Sequence, residues 1–232
     1  MAHDLAHLRG ATIVFDLDGT LVETAPDLVG TLNVLLEQEG IAPLPYEAGR
    51  VLIGKGAKAL IARGFEAAAA PIEEPRLSAL FERFIAHYRA HIADGSHPFP
   101  GLAGSLDRLA QAGAILSVCT NKRTDLSVAL LEALRLADRF ASIIGADAAP
   151  AAKPDPRHLL TAVERAGGDH RHAIMVGDSA SDAGAARSAG IPLILVSFGY
   201  TDVPVEDLGA DILIDHFDEL AEACARLLPV PA

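Results

Sequence analysis

Short apolar runs alternate with amphipathic stretches along most of the chain. The runs are almost continuously apolar, a pattern typical of strands buried on both faces of a parallel sheet. They predict strands at residues 11–16, 114–119, 140–145, 173–177, 192–197 and 211–214. Apolar positions at helical spacing predict helices at 102–112, 124–136, 156–167, 181–189 and 217–228. This order predicts an α/β fold with a doubly wound, Rossmann-like parallel sheet.

One long region interrupts the alternation. Between residues 22 and 97 the apolar positions follow helical spacing only, which predicts helices at 25–39, 46–53, 57–69 and 75–93. Pro75 suits the first turn of the last of these helices. The exit SHPFPG, at 96–101, contains two prolines and a glycine, which is typical of a stiff hinge. We therefore expect an α/β core, residues 1–21 and 98–232, that carries a helical insert, residues 22–97, over the ligand edge of the sheet.

The composition indicates a globular protein. Half of the 232 residues are hydrophobic and 22% are charged, while no apolar run approaches the roughly 20 residues that a membrane span needs. The first ten residues contain no apolar signal core. Cys119 and Cys224 show no metal-binding or redox spacing, as expected for a reduced chain. We expect a cytoplasmic protein, and the sequence leaves open whether it is a monomer or a homodimer.

The net charge of −12 restricts the class of ligand. Nineteen basic residues against 31 acidic ones disfavour a nucleic-acid binder, because such a protein needs a positive surface for the phosphates. The electrostatic field of this negative net charge also repels a small phosphorylated substrate. Such a substrate must then be attracted locally, by a metal ion or by a few well-placed cations.

The first strand ends in FDLDGT, residues 15–20. In an extended chain Asp16 and Asp18 project to the same side. Two carboxylates at one site repel each other, and a hard divalent cation such as Mg²⁺ removes that cost because it prefers oxygen ligands. Gly19 permits a tight turn, after which backbone N–H groups can point at an anion. An acidic turn without any ligand also explains these residues.

A second acidic cluster, GDSASD at 177–182, follows the fourth predicted strand. If these residues are helical, Asp178 and Asp182 share one face and repel each other. Capping of the helix by Asp178 or Ser179 is the simpler explanation when the cluster is taken alone. Because both acidic strand ends lie at the same edge of a parallel sheet, a shared cation site becomes the favoured hypothesis.

Two further stretches offer groups that bind phosphate. Thr120 and Asn121, in VCTNK, supply a hydroxyl and an amide at a strand end. Lys153, in AAKPDP, supplies a cation in a loop that prolines restrain. Taken singly, a helix cap at Thr120 and a solvated loop cation at Lys153 explain these residues as well.

Together these motifs resemble the haloacid dehalogenase superfamily of phosphotransferases, over the whole chain. The four motifs of that superfamily correspond here to Asp16-Leu17-Asp18-Gly19-Thr20, Thr120-Asn121, Lys153, and Gly177-Asp178 with Asp182. The helical insert resembles the superfamily's small α-helical cap. Asp18 favours the phosphatase branch, because dehalogenases lack this second aspartate and phosphonoacetaldehyde hydrolases replace it.

The resemblance implies a role for each motif. Asp16 would attack phosphorus and form an aspartyl-phosphate, while Asp18 would protonate the leaving group and then activate water. Asp16, Asp178 and the main-chain carbonyl of Asp18 would bind Mg²⁺. Asp182 would support the site by positioning Lys153 or a metal-bound water. The groups that would hold the phosphate oxygens are Lys153, Gly19, Thr20, Thr120 and Asn121.

Four stretches also resemble bacterial phosphoglycolate phosphatases: APDL at 25–28, LIGKGAKALI at 52–61, FPG at 99–101 and KPDP at 153–156. Glu23-Thr24 departs from the Asp-Ser that this group shows more often. The resemblance implies hydrolysis of 2-phosphoglycolate to glycolate and phosphate. The turn Gly54-Lys55-Gly56 is the candidate site for the substrate carboxylate, although a helix break with a solvated lysine explains this turn equally well.

Other functions remain open at this point. A sugar phosphatase, a pyrophosphatase or a phosphomutase would share the core. A phosphoacceptor receiver domain also carries an acidic pair, a threonine and a lysine, but it is much shorter and has no insert. The chain has no tryptophan and only three tyrosines, which disfavours a stacked nucleotide as substrate. A dinucleotide-binding site would need G-x-G-x-x-G where this chain has D-L-D-G-T.

Overall fold

The computed structural model describes residues 5–228. Its strands, in chain order, are β1 Thr12–Phe15, β2 Val22–Glu23, β3 His97–Pro98, β4 Ile115–Thr120, β5 Ser142–Gly145, β6 Ala173–Gly177, β7 Leu193–Val196 and β8 Ile212–Ile214. Six of them form one parallel sheet in the order β5-β4-β1-β6-β7-β8. The chain therefore builds the sheet outwards from β1 on one side and then on the other, which is the doubly wound topology that the sequence predicted.

The α-helices follow the predicted alternation. In chain order they are α1 Ala25–Gln38, α2 Tyr46–Arg50, α3 Ala57–Ala67, α4 Arg76–Ala90, α5 Leu102–Gln111, α6 Thr124–Ala133, α7 Pro156–Arg165, α8 Ala180–Ala189 and α9 Leu220–Leu227. Ile13 and Phe15 of β1 pack with α5, α6 and α9 on one face of the sheet. Val14 packs with α7 and α8 on the other face. Burial on both faces explains the continuous apolar runs, and the α/β fold is confirmed.

The observed elements differ from the predicted ones mainly at their ends. Helix α6 ends three residues early because Arg135 has a φ of +58°, which a right-handed helix cannot contain. Pro75 precedes α4 as its N-cap instead of lying in its first turn. The predicted helix 217–228 is divided into the 3-10 turn Phe217–Glu219 and α9.

The helical insert has an apolar core of its own. Helices α1, α3 and α4 contribute its largest buried side chains, among them Leu32, Phe65 and Phe84. Leu126 and Tyr200, which lie outside residues 22–97, belong to the same cluster and join the insert to the rest of the molecule. The division into a core, 1–21 and 98–232, and an insert, 22–97, stays a prediction. Residues 1–4 and 229–232 of the predicted core lie outside the described residues.

An antiparallel ribbon carries both connections of the insert. Val22 of β2 pairs with Pro98 of β3, and Glu23 pairs with His97. The sequence analysis predicted no strand between residues 22 and 97 and missed this ribbon. Two residues per strand are too few to show the alternation by which strands are recognised. The ribbon fixes the entry and the exit of the insert side by side.

Two composition-based expectations can be compared with the described residues. Within residues 5–228, no helix has both the length and the hydropathy required to cross a membrane. Cys119 and Cys224 are buried free thiols. They lie in the apolar clusters on opposite faces of the sheet, so they cannot pair with each other.

Two glycines of the insert test its packing. A Cβ on Gly49, in α2, would lie 2.7 Å from Val29 Cγ1 in α1, and the β-branched Val29 cannot easily rotate away. We expect Gly49→Ala to lower the free energy of unfolding by about 1–3 kcal/mol. A Cβ on Gly30, in α1, meets no atom within 4 Å, so Gly30→Ala should raise that free energy by up to about 1 kcal/mol. Urea unfolding measures both, and effects of equal sign would contradict this account of the packing.

Candidate active site

The sheet order brings the polar strand ends together. Strand β1 lies between β4 and β6, and Phe15 pairs with Val118 on one side and Val176 on the other. Asp16, at the end of β1, and Thr120, at the end of β4, are therefore neighbours at the carboxyl edge of the sheet. Asp178 follows β6 at the same edge. Ligands of doubly wound folds bind at this edge, so the predicted motifs converge where chemistry is expected.

Asp16 is buried at the tip of β1. Its Oδ1 accepts a hydrogen bond from Leu17 N at 2.7 Å and lies 3.0 Å from Lys153 Nζ. Burial raises the pKa of Asp16 to about 6, although the neighbouring Lys153 opposes the rise. Positive charge beside Asp16 thus favours the ionised carboxylate that a nucleophile requires.

Lys153 lies among carboxylates and not in solvent. Its ammonium is 2.6 Å from Asp182 Oδ1 and 3.0 Å from Asp16 Oδ1. Burial alone would lower the pKa of Lys153, but Asp16 and Asp182 outweigh it and raise that pKa above its ordinary value. The backbone N–H of Lys153 donates to His158 Nδ1, and burial lowers the pKa of His158 to about 4, so this ring is neutral and can accept. The solvated loop cation is therefore excluded.

Asp182 both caps α8 and holds Lys153. Its Oδ2 accepts hydrogen bonds from Asp178 N, Ser179 N and Ser179 Oγ at 3.2, 3.0 and 2.7 Å, while Oδ1 accepts from Lys153. Ser179 is the N-cap of α8, so the capping explanation of GDSASD is correct for that residue. The same contacts fix the carboxylate that orients the lysine. Asp182 is therefore placed to support the site through Lys153.

Asp178 is held from two sides. Its Oδ1 accepts from Thr20 Oγ1 at 3.0 Å, and its Oδ2 accepts from Tyr200 N at 2.6 Å. Gly19 makes this approach possible, because its φ is +85° and a Cβ there would lie 2.5 Å from Asp178 Oδ2. The N–H of Gly19 donates to Val22 O at 2.9 Å, so it is engaged within the turn and not free for a phosphate, contrary to the expectation.

The carboxylates of Asp16, Asp178 and Asp182 form a buried carboxylate cluster that suits a divalent cation. One oxygen from each lies within 4.8 Å of the others. Burial raises the pKa of Asp178 well above its ordinary value, and the nearby Asp182 and Asp16 raise it further. Lys153 compensates only one of the three negative charges. An ion with two positive charges and a preference for oxygen ligands would compensate the rest, so the residues present fit such an ion.

Asp18 pairs with a second lysine. Lys122 Nζ lies 2.7 and 2.9 Å from the two carboxylate oxygens of Asp18, and only 6% of the Lys122 side chain is exposed. Burial would lower the pKa of Lys122, but Asp18 and Tyr88 outweigh it and raise that pKa. The sequence analysis missed Lys122, although it directly follows Thr120-Asn121. Lysines are almost always exposed, so its burial beside Asp18 could not be read from the sequence.

Thr120 and Asn121 stand beside these charged groups. Thr120 ends β4, where its Oγ1 accepts from Lys122 N at 3.2 Å, and it caps no helix. Asn121 Nδ2 donates to Lys153 O at 3.1 Å. Asn121 Oδ1 is buried and has no hydrogen-bond partner among the described residues.

A cavity of about 220 Å³ lies between this edge of the sheet and the helical insert. Asp16, Asp18, Thr120 and Asn121 form much of its polar side. The insert contributes the turn Gly54-Lys55-Gly56 and apolar side chains, namely Leu28, Ile53, Leu60, Phe81, Phe84 and Ile85.

The turn Gly54-Lys55-Gly56 touches the core through Asn121, whose Nδ2 is 3.5 Å from Gly54 O. Lys55 lines the cavity, but its ammonium lies 3.5 Å from Asp202 Oδ2 and 55% of its side chain is exposed. Gly56 is the N-cap of α3. The helix break with an exposed lysine thus accounts for the observed geometry, and a role of Lys55 in substrate binding stays a prediction.

Tyr200, another residue that the sequence analysis missed, links the carboxylate cluster to the insert. Its N–H binds Asp178, and its hydroxyl donates to Glu23 Oε1 at 2.5 Å while accepting from Thr24 N at 2.7 Å. The guanidinium of Arg50, in α2, lies over its ring, with Cζ 4.7 Å from the ring centre. No motif surrounds Tyr200 in the sequence, so only the fold reveals that it contacts both sides of the cavity.

Comparisons with known proteins find relatives over nearly the whole chain. The family described as haloacid dehalogenase-like hydrolase matches residues 13–196. The chain is 57% identical to the phosphoglycolate phosphatase of Caulobacter vibrioides, over 97% of this chain and 94% of that protein. It is 49% identical to the phosphoglycolate phosphatase of Agrobacterium fabrum, over 90% of each.

Solved structures show that the chain also shares its fold with proteins of this kind. The crystal structure of a predicted phosphoglycolate phosphatase from Haemophilus somnus matches with a TM-score of 0.85 and 27% identity, over 94% of this chain and 99% of that one. CbbY from Rhodobacter sphaeroides, in complex with phosphate, matches with a TM-score of 0.76 and 28% identity, over 90% and 96%. On its sequence and its fold, the chain belongs to the haloacid dehalogenase-like hydrolase family.

Proposed function

We propose that this hydrolase is a phosphatase of small phosphate monoesters and that its substrate is 2-phosphoglycolate, which it cleaves to glycolate and phosphate. The observation that supports the proposal most is that two aspartates line one cavity and that each contacts a buried lysine: Asp16 contacts Lys153, and Asp18 contacts Lys122. The names of the Caulobacter vibrioides and Agrobacterium fabrum relatives support the choice of substrate. Membership of a hydrolase family favours an enzyme over a signalling receiver domain.

Mg²⁺ is the proposed cofactor. The carboxylates of Asp16 and Asp178 and the main-chain carbonyl of Asp18 would hold it, next to the Lys153–Asp182 pair. When bound, Mg²⁺ would supply positive charge that shields the nucleophile from the negative charge of the phosphate. The remaining chemistry belongs to side chains of this protein.

Asp16 is the proposed nucleophile. Leu17 N and Lys153 Nζ both contact its Oδ1, so we assign the attack to Oδ2, the oxygen that these donors do not hold. A bond forms from Oδ2 to phosphorus while the bond from phosphorus to the ester oxygen breaks. The aspartyl-phosphate that results divides one difficult displacement into two easier ones.

Asp18 is the proposed general acid and base. In its protonated form it gives a proton to the ester oxygen as glycolate leaves. The carboxylate that remains takes a proton from the water that attacks the aspartyl-phosphate. Asp18 therefore regains its proton as phosphate is released and Asp16 is restored.

The phosphate oxygens need donors that are in place before the reaction. Thr120 Oγ1 accepts from Lys122 N, which leaves the Thr120 hydroxyl proton free to donate. Thr20 Oγ1 is engaged with Asp178, so the backbone N–H of Thr20 is the group proposed to bind phosphate. Lys153 and the Asn121 amide complete the set. These donors stabilise the charge that develops on the transferred group.

A sugar phosphatase or a phosphomutase remains the alternative. A mutant of CbbY crystallised with xylulose-(1,5)bisphosphate is a structural neighbour, with a TM-score of 0.75 and 27% identity. In the present chain, however, most side chains on the insert side of the cavity are apolar, such as Leu28, Ile53 and Phe84, so few groups there could bind the several hydroxyls of a sugar. This favours a compact substrate with few polar groups besides its phosphate.

Initial rates on a substrate panel test the proposal. The panel contains 2-phosphoglycolate, ethyl phosphate, p-nitrophenyl phosphate, a hexose phosphate and pyrophosphate. We expect the highest kcat/KM for 2-phosphoglycolate. A higher value for the hexose phosphate or pyrophosphate would overturn the substrate, and absence of turnover on every compound would overturn the phosphatase.

The effect of Mg²⁺ on stability should depend on pH. The folded pKa of Asp16 is raised from 3.8 to about 6 without metal, so the stability it contributes is present at low pH and lost as pH rises through about 6. Mg²⁺ needs ionised carboxylates and should therefore stabilise more as pH rises. We expect MgCl₂ to raise Tm more at about pH 7.5 than at about pH 5. At the higher pH, MgCl₂ at 100 Kd should add about 2.7 kcal/mol to the free energy of unfolding.

Thermal scans in MgCl₂ and in EDTA measure this difference. Asp178→Asn should reduce it, because one proposed ligand is neutralised. Surface Asp169→Asn, whose side chain is 48% exposed, is the matched control and should retain it. An equal rise of Tm at both pH values would speak against a cation on these carboxylates.

Asp16→Asn should abolish turnover while the fold is kept, because a neutral amide cannot serve as the nucleophile. The expected fall in kcat exceeds tenfold on every substrate, which is more than about 1.4 kcal/mol of transition-state stabilisation. Steady-state kinetics and circular dichroism measure activity and fold, again with Asp169→Asn as control. Retention of more than roughly a tenth of wild-type kcat would refute the assignment.

Asp18→Asn should slow substrates according to their leaving groups. An alkoxide needs protonation as it leaves, whereas p-nitrophenolate leaves without it. We therefore expect a larger loss in the phosphorylation step with 2-phosphoglycolate than with p-nitrophenyl phosphate. Rapid-quench kinetics separate this step from hydrolysis of the intermediate, and equal losses on both substrates would count against a general acid.

A further inference from the structure

A substrate carboxylate needs a cation inside the cavity. The chain carries a net charge of −12, and Asp16 and Asp18 are part of the cavity wall. A charge-assisted hydrogen bond from lysine or arginine is the contact best suited to a carboxylate. Among residues 5–228, the cations that line the cavity are Lys55, Lys58, Lys122 and Arg123.

Burial separates one of these cations from the other three. The side chains of Lys55, Lys58 and Arg123 are 55%, 51% and 46% exposed, and each already pairs with a surface carboxylate. Solvent screens such groups, so their attraction for a substrate is weak. The Lys122 side chain is 6% exposed, where the same charge acts through a lower effective dielectric.

Lys122 also lies beside the reacting bond. Its ammonium contacts both oxygens of Asp18, the group proposed to protonate the ester oxygen. In 2-phosphoglycolate the carboxyl carbon is two covalent bonds from that ester oxygen. A substrate whose ester oxygen contacts Asp18 therefore carries its carboxylate toward Lys122. An ammonium has three donors, and Asp18 uses two of them.

The helical insert supplies a second donor at the same place. Tyr88, in α4, is 1% exposed and lines the cavity, and its hydroxyl lies beside the Lys122 ammonium but donates to no acceptor among residues 5–228. Lys122 Nζ lies 4.7 Å from the centre of the Tyr88 ring. An ammonium can only donate, so the buried hydroxyl proton of Tyr88 is left without an acceptor, and this costs free energy unless a ligand supplies one.

We propose that Lys122 and the Tyr88 hydroxyl bind the carboxylate of the substrate, and that this contact, instead of one with Lys55, makes the enzyme prefer a carboxylated phosphate ester. The inference rests on the proposed function. The carboxylate bridges the loop after β4 and helix α4 of the insert. The substrate itself thus joins the two sides of the cavity.

A role limited to holding Asp18 is the competing explanation of Lys122. That role predicts equal losses on all alkyl phosphates, because every one of them needs Asp18. Carboxylate binding predicts an additional loss on 2-phosphoglycolate alone. Ethyl phosphate is the matched substrate, since it has the same two-carbon alkyl ester without the carboxylate.

The experiment measures kcat/KM for 2-phosphoglycolate and for ethyl phosphate and takes their ratio. We expect Lys122→Met to lower the ratio about tenfold or more, and Lys122→Arg to restore part of it because the charge returns. Tyr88→Phe removes only the hydroxyl and should lower the ratio by roughly threefold to tenfold. Lys58→Met removes an exposed cation from the same cavity wall and should leave the ratio unchanged.

Each outcome decides between explanations. An unchanged ratio in folded Lys122→Met would overturn the proposal, and if that variant does not fold, an unchanged ratio in Tyr88→Phe would do so. A fall of the ratio in Lys55→Met with none in Lys122→Met would assign the carboxylate to Lys55. If the wild-type enzyme shows no preference for 2-phosphoglycolate over ethyl phosphate, the proposed substrate fails before any variant is compared.

Discussion

The contact of Lys153 with the carboxylates of Asp16 and Asp182 is the interaction on which the rest of the site depends. Its three groups come from the tip of β1, the first turn of α8 and the loop before α7, which are far apart in the chain. Removing one partner of a buried ion pair typically costs about 3–5 kcal/mol, because a buried charge is left uncompensated. Here the loss of Lys153 would leave the buried carboxylates of Asp16, Asp178 and Asp182 together without a compensating charge. The lysine therefore stabilises the local fold and neutralises part of the negative charge of the site.

A second constraint connects this charged edge to the apolar insert. The β2–β3 ribbon fixes both chain connections, and Tyr200 reaches from Asp178 to Glu23 and to the start of α1. Arg50, in α2, covers the Tyr200 ring and also donates to Phe198 O at 2.8 Å. The position of the insert and the orientation of Asp178 are consequently coupled. A rotation about the ribbon would change the surroundings of a proposed metal ligand and the shape of the cavity together.

The sequence predicted the six strands of the parallel sheet, most helices and the convergence of Asp16, Thr120, Lys153 and Asp178, because these features depend on local periodicity and on one topological rule. It could not predict Lys122 beside Asp18 or Tyr200 beside Asp178, since each depends on contacts between segments more than 20 residues apart in the chain. The β2–β3 ribbon was missed for another reason. Its strands have two residues each, which is too short for an alternation of apolar and polar positions to be visible in the sequence. Lys55 was singled out because glycines flank it. Its side chain is exposed, which weakens its attraction for a substrate, and that exposure is set by the fold.

On the proposed function, the two buried lysines would let a strongly acidic protein receive an anionic substrate. The field of the whole chain, with its net charge of −12, opposes association, and exposed cations such as Lys55 are screened or paired. Lys153 and Lys122 are each buried against aspartates, where their charges act at short range in a medium of lower dielectric. Their aspartates keep both lysines charged before the substrate arrives. On the proposed function, attraction would be confined to the place where phosphate and carboxylate must be aligned, and selectivity would follow from the spacing of two local cations.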